Sequence, residues 1–182
     1  MVRISSALLV LPFIFGSLAS PLLRRTVAQV ESDITGISTQ VDALNTAIQA
    51  FPTSGGNLVD ALGIHTDATN LASAVTTATS DTQATDAFSE DDGQTILAQV
   101  QALEPNIITT LQNLIAKKSG FTSLPVGGVT TLVEQDLQTL ANDTSAFADA
   151  LIAKSPADLV DQANTIKSDI NAAFSSAISA YS

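Results

Sequence analysis

The stretch VAQVESDITGISTQVDALNTAIQAF, residues 27–51, decides the fold class. Its large apolar side chains recur at alternating steps of three and four residues, the spacing of one face of an α-helix and of a coiled coil. These positions are Val27, Val30, Ile34, Ile37, Val41, Leu44, Ile48 and Phe51. Such a seam could join two chains, bury itself inside one chain, or face something that is not protein.

Four further segments carry apolar residues in the same helical phase. They begin near Asn57, after Ser89, at Val129 and after Pro156. No segment alternates polar and apolar residues with a period of two over a useful length, so strands are not expected. The sequence therefore predicts an all-α fold, an antiparallel bundle of four to five long amphipathic helices.

The ends of these helices are predicted from helix breakers and caps. Polar composition favours loops over residues 76–88 and 119–128. Ser155 followed by Pro156 favours a capped start of the fifth helix. Pro105 interrupts the third helix without a change of phase, which predicts one kinked helix rather than two.

The first residues have the layout of a secretory signal peptide. A basic residue, a short apolar run and small residues precede a cleavage site after Ala19, which defines residues 1–19 as the signal. A dibasic pair ending at Arg25 predicts a second cut that removes residues 20–25 as a propeptide. Residues 26–182 then form a single helical-bundle domain. The alternative is that the first residues are an N-terminal helix of the fold.

Charge and cysteine content exclude several classes of partner. Residues 26–182 contain four lysines and eighteen acidic residues, a formal charge of −14. Such a surface repels phosphate backbones and anionic lipid head groups, so we expect no nucleic acid and no membrane docking by charge. No apolar tail follows Tyr181, which predicts release without integral membrane association. The chain has no cysteine, so its stability must come from a core.

Residues of the kinds that carry catalysis are scarce. His65 is the only histidine, so cysteine–histidine catalysis and the common zinc sites cannot be built. A catalytic triad would need His65, which has Asp60 and Asp67 nearby in sequence; a structural or surface histidine is the simpler interpretation. We therefore expect no enzyme activity, no catalytic residues, no cofactor and no metal.

Asn142 begins the only glycosylation sequon, Asn-Asp-Thr. The helical phase places Asn142 outward and Thr144 inward. Asn142 is therefore a candidate for N-glycosylation, although a sequon within a helix is an unfavourable context.

The apolar faces combine long aliphatic stripes with many Ala and Thr residues and few aromatics, five Phe and one Tyr after residue 25. Small residues let helices approach closely but fill space poorly. The bundle could enclose a groove for an acyl chain, each buried methylene contributing about 0.8 kcal/mol. The alternative is a well-packed core without a cavity, and spacing alone favours that alternative.

Four segments resemble the fungal hydrophobic surface-binding protein A family, to which the lipid-binding domains of cell-wall galactomannoproteins are related. They are VESDITGISTQVDALNTAIQAF (30–51), VQALEPNIITTLQNLIAKKSGF (100–121), LVEQDLQTLANDTSAFADALIAKSP (132–156) and IKSDINAAFSSAISAY (166–181). The resemblance covers nearly all of the chain after Arg25.

The resemblance implies a secreted, non-enzymatic, extracellular protein, loosely associated with the cell wall or free of it. Its implied partners are hydrophobic surfaces or long-chain fatty acids. A secreted esterase or cutinase is a further implied partner, because family members help to recruit polyester-degrading hydrolases to solid substrates. A structural or interaction module of the cell wall or extracellular matrix is the alternative function.

For an internal lipid site, the helix faces suggest eight wall residues. They are Leu44, Ile48, Leu71, Leu111, Leu140, Phe147, Ile170 and Phe174. The seam of residues 27–51 has no basic flanking residues that could pair two copies of the acidic chain. We therefore expect this seam to face its own bundle.

Overall fold

The computed structural model describes residues 26–182, and these form a bundle of five long helices and one short one. The predicted signal peptide, the predicted propeptide and the predicted cuts after Ala19 and Arg25 lie outside the described residues. The helices are α1 (Val27–Ala50), α2 (Leu58–Ala84), α3 (Glu90–Ala116), α4 (Lys118–Thr122), α5 (Val129–Lys154) and α6 (Val160–Tyr181). The predicted all-α bundle is confirmed.

The seam of α1 is buried inside its own chain. The residues between Val30 and Ile48 that recur at three- and four-residue steps are each at most 6% exposed. Thr26 caps this helix, since its hydroxyl accepts a hydrogen bond from the Gln29 amide at 3.3 Å. Burial of this stripe against α2 and α3 removes apolar surface from water, which is the main force holding the bundle together.

The five long helices form a closed ring. Each packs against two others, in the order α1, α2, α5, α6, α3, and α3 returns to α1. Consecutive long helices run in opposite directions along the chain, yet the ring order makes three neighbouring pairs parallel: α2 with α5, α6 with α3, and α3 with α1. Side-chain hydrogen bonds mark the parallel register of α3 and α1, because Asn106 donates to Asp42 and Asn113 donates to Asn45.

The start and the continuity of α3 agree with the predictions from sequence. The Ser89 hydroxyl accepts a hydrogen bond from the Asp92 amide at 3.2 Å, which starts α3 as predicted. Pro105 lies inside α3, and the helix is continuous from Glu90 to Ala116, so one helix rather than two is confirmed. The acidic residues of its first turn favour the positive end of the helix dipole.

The predicted loop at residues 76–88 is wrong over most of its length. Helix α2 continues to Ala84 because Ala78 and Thr82 are fully buried against the neighbouring helices. The hydroxyls of Thr77 and Thr79 donate to the carbonyl oxygens four residues earlier, so these side chains are satisfied within the helix. Tertiary burial thus overrides weak helix propensity.

Three other expectations also need correction. Residues 118–122 form the short helix α4, because Phe121 is drawn into the core at 1% exposure. Ser155 does not cap the fifth long helix; its hydroxyl donates to the Leu151 carbonyl and ends α5 instead. The apolar phase of the second helical segment also predicts a buried Leu62, and this side chain is 45% exposed.

Candidate functional site

The ring of helices encloses space at its centre for a geometric reason. If five helix axes are spaced about 9 Å apart in a ring, the central axis lies about 8 Å from each, beyond the radius of about 5–6 Å that a helix has with its side chains. Long side chains reach across this gap and short ones do not. The centre is therefore filled only in part.

A central cavity of about 80 Å³ lies on this axis, and every long helix contributes to its wall. Its lining residues are Ile37, Val41, Leu44, Leu71, Val75, Val100, Leu103, Ile107, Thr110, Leu111, Leu140, Thr144, Phe147, Ala148, Leu151, Ile170 and Phe174. Apart from two threonines, these side chains are hydrocarbon. A lining of this kind does not hold water through hydrogen bonds and favours an apolar ligand.

Two smaller apolar cavities of about 50 Å³ each flank the central cavity. The α4-end cavity lies between α1, α2, α3 and α5, and the residues that it shares with the central cavity are Leu44, Thr110, Leu111 and Leu140. The α5–α6-end cavity lies between α3, α5 and α6, and the residues that it shares with the central cavity are Val100, Ala148, Leu151 and Ile170. Single layers of side chains thus separate three cavities that follow one another along the bundle.

Threonines supply the polar atoms of the central wall. The Thr110 hydroxyl donates to the Asn106 carbonyl oxygen at 2.7 Å, so its proton is already used within α3. Thr144 faces the cavity from α5, as its inward phase predicted. A hydroxyl whose proton is committed to the backbone adds little polarity to a cavity wall.

The structure brings the eight predicted wall residues together. Seven of them line the central cavity, and Ile48 lines the α4-end cavity together with Leu44, Leu111 and Leu140. All eight are buried. Whether they contact a ligand stays a prediction.

Ten residues of the central wall are not among the eight that the helix faces suggest. Most of the ten, such as Val41 and Leu103, belong to the apolar stripes of their helices. The spacing within a stripe does not show which of its residues lie at mid-height of the bundle. Thr110 and Ala148 are different, because no hydrophobic pattern marks them. A topology that places all five helices around one axis would have identified both.

Stacked aromatic rings close the bundle at its α4 end. The rings of Phe51 and Phe121 are stacked with centroids 4.3 Å apart, and Tyr181 meets Phe121 edge-on at 6.2 Å. The Tyr181 hydroxyl donates to the Leu114 carbonyl oxygen at 2.8 Å, and burial raises the pKa of this phenol. We call Phe51, Phe121 and Tyr181 the aromatic cap.

The backbone approaches closely at this cap. A Cβ atom on Gly120 would lie 2.0 Å from the carbonyl oxygen of Pro52, so only glycine fits where α4 meets the end of α1. The Ser119 hydroxyl donates to the Thr53 carbonyl oxygen and ties the same segments together. The aromatic cap is therefore fixed by packing and by hydrogen bonds.

His65 lies on the wall of the α4-end cavity with an acidic partner. Its Nδ1 atom lies 2.8 Å from one carboxylate oxygen of Asp136 and 3.0 Å from the other, which links α2 to α5. Burial raises the pKa of the Asp136 carboxyl, against the opposing effect of the hydrogen bond and the charge of His65. The acidic partner of His65 is Asp136 on α5 rather than Asp60 or Asp67 on its own helix. Residues that are close in sequence on one helix can point in different directions.

Lys167 lines the α5–α6-end cavity. Its ammonium donates to a carboxylate oxygen of Asp149 at 2.6 Å. The Lys167 side chain is 23% exposed, and Asp149 is 63% exposed. The apolar stem of the lysine thus belongs to the cavity wall while its charged end reaches the surface.

Two other sequence features can be placed on the structure. Asn142 is exposed on α5, so its orientation agrees with the sequence, and its glycosylation stays a prediction. Residues 26–182 bring together no group of three or more His, Asp or Glu side chains that could hold a metal ion. Over that same range, no helix has the length and apolarity needed to cross a bilayer.

Residues 27–153 match the family model described as hydrophobic surface binding protein A. The chain belongs to this family. Among curated relatives, cell wall mannoprotein 1 of Aspergillus flavus is 29% identical over 97% of the chain, and that of Aspergillus fumigatus is 30% identical over 97%. The chain spans only 62% and 59% of the length of these two relatives.

Solved structures share the fold. Afmp4p in complex with palmitic acid superposes with a TM-score of 0.80 and 33% identity, over 86% of this chain and 99% of that one. Ligand binding domain 1 of the Penicillium marneffei MP1 protein, complexed with arachidonic acids, gives a TM-score of 0.76 over 86% of this chain and 97% of that one. That domain is only 21% identical, so the similarity is evidence for a shared fold alone.

Proposed function

We propose that this protein binds the acyl chain of a long-chain fatty acid along the axis of the bundle. The observation that carries the proposal is the row of three hydrocarbon-lined cavities, of which the central one is walled by all five long helices. A flexible, unbranched hydrocarbon matches a long and narrow apolar space. Transfer of each methylene from water into it contributes about 0.8 kcal/mol.

Binding of a whole acyl chain requires the three cavities to join. The side chains that separate them are aliphatic apart from Thr110, and rotamer changes of Leu44, Leu140 and Leu151 would open the shared walls. Aliphatic side chains leave no hydrogen bond broken when they move. The acyl chain then replaces the lost contacts between side chains with its own.

The comparisons support this ligand class. The palmitic acid complex of Afmp4p has the same fold at 33% identity and matches nearly the whole of that chain. The family description adds affinity for hydrophobic surfaces. The relatives are named for surface binding and for the cell wall rather than for a reaction, which supports a non-enzymatic role.

The proposal includes the cellular setting predicted from sequence. Residues 1–19 direct secretion, residues 20–25 are removed, and residues 26–182 act outside the cell as one domain. Adsorption to a hydrophobic surface would use the same apolar faces if the bundle opened there. Recruitment of a secreted esterase or cutinase remains a prediction from the family resemblance.

Titration with palmitate, followed by native mass spectrometry and calorimetry, tests the proposal. We expect the protein to take up palmitate and to gain thermal stability with ligand concentration. Ala148 lies in the wall between the central and α5–α6-end cavities, so Ala148→Phe should fill the passage and weaken uptake. Ala146→Phe is the matched control, because Ala146 is exposed on the same helix.

Two results would contradict the proposal. One is a wild-type protein that takes up no acyl ligand on titration. The other is equal palmitate affinity in folded Ala148→Phe and Ala146→Phe, which would place any bound ligand outside the axial cavities. Circular dichroism of both variants verifies that they are folded before affinities are compared.

A further inference from the structure

We propose that the ammonium of Lys167 binds the carboxylate of the fatty acid, with the acyl chain extending from there into the central cavity. This inference rests on the proposed function and adds the orientation of the ligand. It assigns a head-group site at the α5–α6 end of the bundle. The ligand class is a free carboxylic acid with a long apolar tail.

The position of Lys167 provides the first argument. Lys167 lines the α5–α6-end cavity beside Ile152, Ser155 and Ala163, and this cavity meets the central one at Leu151. An acyl chain whose carboxylate lies at Lys167 would therefore extend through the α5–α6-end cavity into the central one once the side chains between them change rotamer. The lysine already holds one carboxylate at 2.6 Å, that of Asp149, so the site has the geometry for such a group.

The charge distribution provides the second argument. Residues 26–182 contain four lysines against eighteen acidic residues, so most of the surface repels an anionic head group. The ammonium groups of Lys117, Lys118 and Lys154 donate to main-chain carbonyl oxygens of Gln49, Ala180 and Thr85. An ammonium has three donors, and Lys167 can therefore hold the ligand carboxylate together with Asp149 or in its place.

His65 is the other cationic candidate on a cavity wall, and its surroundings are unfavourable. Asp136 holds Nδ1 of His65 with both carboxylate oxygens, and its side chain is only 19% exposed. A ligand carboxylate there would face a half-buried acid that cannot turn into water. Asp149 is 63% exposed, so it can turn away from Lys167 at little cost.

The two ends of the bundle provide the third argument. The aromatic cap closes the α4 end with stacked rings and with backbone in van der Waals contact at Gly120. A charged head group buried beneath those rings would lose its hydration without compensation. The carboxylate is better placed at the α5–α6 end, where the tip of Lys167 reaches the surface.

The test compares two ligands in two variants. Lys167→Met removes the charge and keeps an apolar stem, whereas Lys117→Met removes the same charge at the opposite end, where Lys117 donates to Gln49. Palmitate and the uncharged hexadecanol are titrated into each protein. We expect Lys167→Met to bind palmitate on the order of tenfold more weakly, the loss of one charge-assisted hydrogen bond, and hexadecanol unchanged.

The controls separate this inference from the proposed function. Lys117→Met should bind both ligands as the wild type does, and Lys167→Arg should retain palmitate binding. Unchanged palmitate affinity in Lys167→Met, or an equal loss for both ligands, would overturn the head-group site while leaving acyl binding intact. A selective loss of palmitate in His65→Gln would move the head group to the other cavity. If wild-type protein binds neither ligand, the proposed function itself fails.

Discussion

The α4 end and the middle of the bundle are built from different kinds of side chain. At the α4 end, Phe51, Phe121 and Tyr181 pack ring against ring, and the Tyr181 hydroxyl is held by a backbone carbonyl. In the middle, mainly aliphatic side chains, together with two threonines and the separate rings of Phe147 and Phe174, surround a cavity of about 80 Å³. One region fills its space with flat rings, and the other leaves its space partly open.

This difference suggests that two parts of one hydrophobic core have different roles, one in stability and the other in ligand binding. Aromatic rings bury a large area with few rotatable bonds, so they fix the geometry of the helix ends. Aliphatic side chains around a cavity can change rotamer and admit a ligand. Stability should therefore depend most on the aromatic cap, and ligand affinity most on the middle.

Phe121→Ala should have the largest effect on stability. Phe121 is 1% exposed and contacts both other rings of the aromatic cap, so its loss should lower the free energy of unfolding by about 3–5 kcal/mol. Urea denaturation followed by circular dichroism measures this change. Palmitate affinity, measured where the variant is folded, should be close to that of the wild type.

A loss of palmitate affinity in folded Phe121→Ala would contradict separate roles for the α4 end and the middle of the bundle. It would show that the aromatic cap belongs to the binding site. The division between a stabilising end and a binding middle would then be wrong.

Leu140→Ala should have an intermediate effect on stability and, unlike Phe121→Ala, should change the palmitate affinity. Leu140 separates the central and α4-end cavities, so its truncation should cost about 2–3 kcal/mol of stability while joining the two spaces. Palmitate affinity should rise. Chemical denaturation and calorimetry measure the two quantities.

Ile34→Ala is the matched control for this prediction. Ile34 is 2% exposed on α1 and does not line any of the three axial cavities. A similar loss of stability without a gain in palmitate affinity is expected there. Equal affinity changes in both variants would argue that loosening of the whole core, rather than the axial space, controls binding.

Asp136→Asn should have the smallest effect, and that effect should depend on pH. Burial raises the pKa of the Asp136 carboxyl, so the folded state binds its proton more tightly than the unfolded state does. This contribution to stability is full below the unfolded pKa and is lost as pH rises through the folded pKa. The variant lacks it, so the wild-type advantage in unfolding free energy should shrink as pH rises through this range.

Denaturation of both proteins across acidic pH measures that difference. A wild-type advantage that grows with pH would mean that the pairing with His65 outweighs burial. In that case the link between α2 and α5 would stabilise the wall of the α4-end cavity at neutral pH.

The helices could be predicted from sequence where apolar spacing was strong, and not where packing decided the outcome. The stripe of α1 specified its burial almost residue by residue. The second half of α2 is rich in Thr and Ser, and it is helical because Ala78 and Thr82 fit against neighbouring helices. Helix α4 likewise depends on Phe121 finding Phe51, a contact between residues seventy positions apart in sequence.

The apolar character of the candidate site could be predicted from the sequence, but only some of its lining residues could. Helix phase selected residues such as Leu111 and Phe147, which do line the central cavity. It did not select Thr110 or Ala148, because neither belongs to an apolar stripe. It also could not pair His65 with Asp136, or Lys167 with Asp149, since each pair joins two helices.

By itself, the sequence determined that the chain forms amphipathic helices and that their apolar faces are turned toward each other. Periodicity is a local property, and it is enough to fix which side of each helix avoids water. The arrangement of five helices in one ring around a shared axis follows only from tertiary packing. That order depends on how side chains distant in sequence fit together, and it is this ring that leaves hydrocarbon-lined space at the centre.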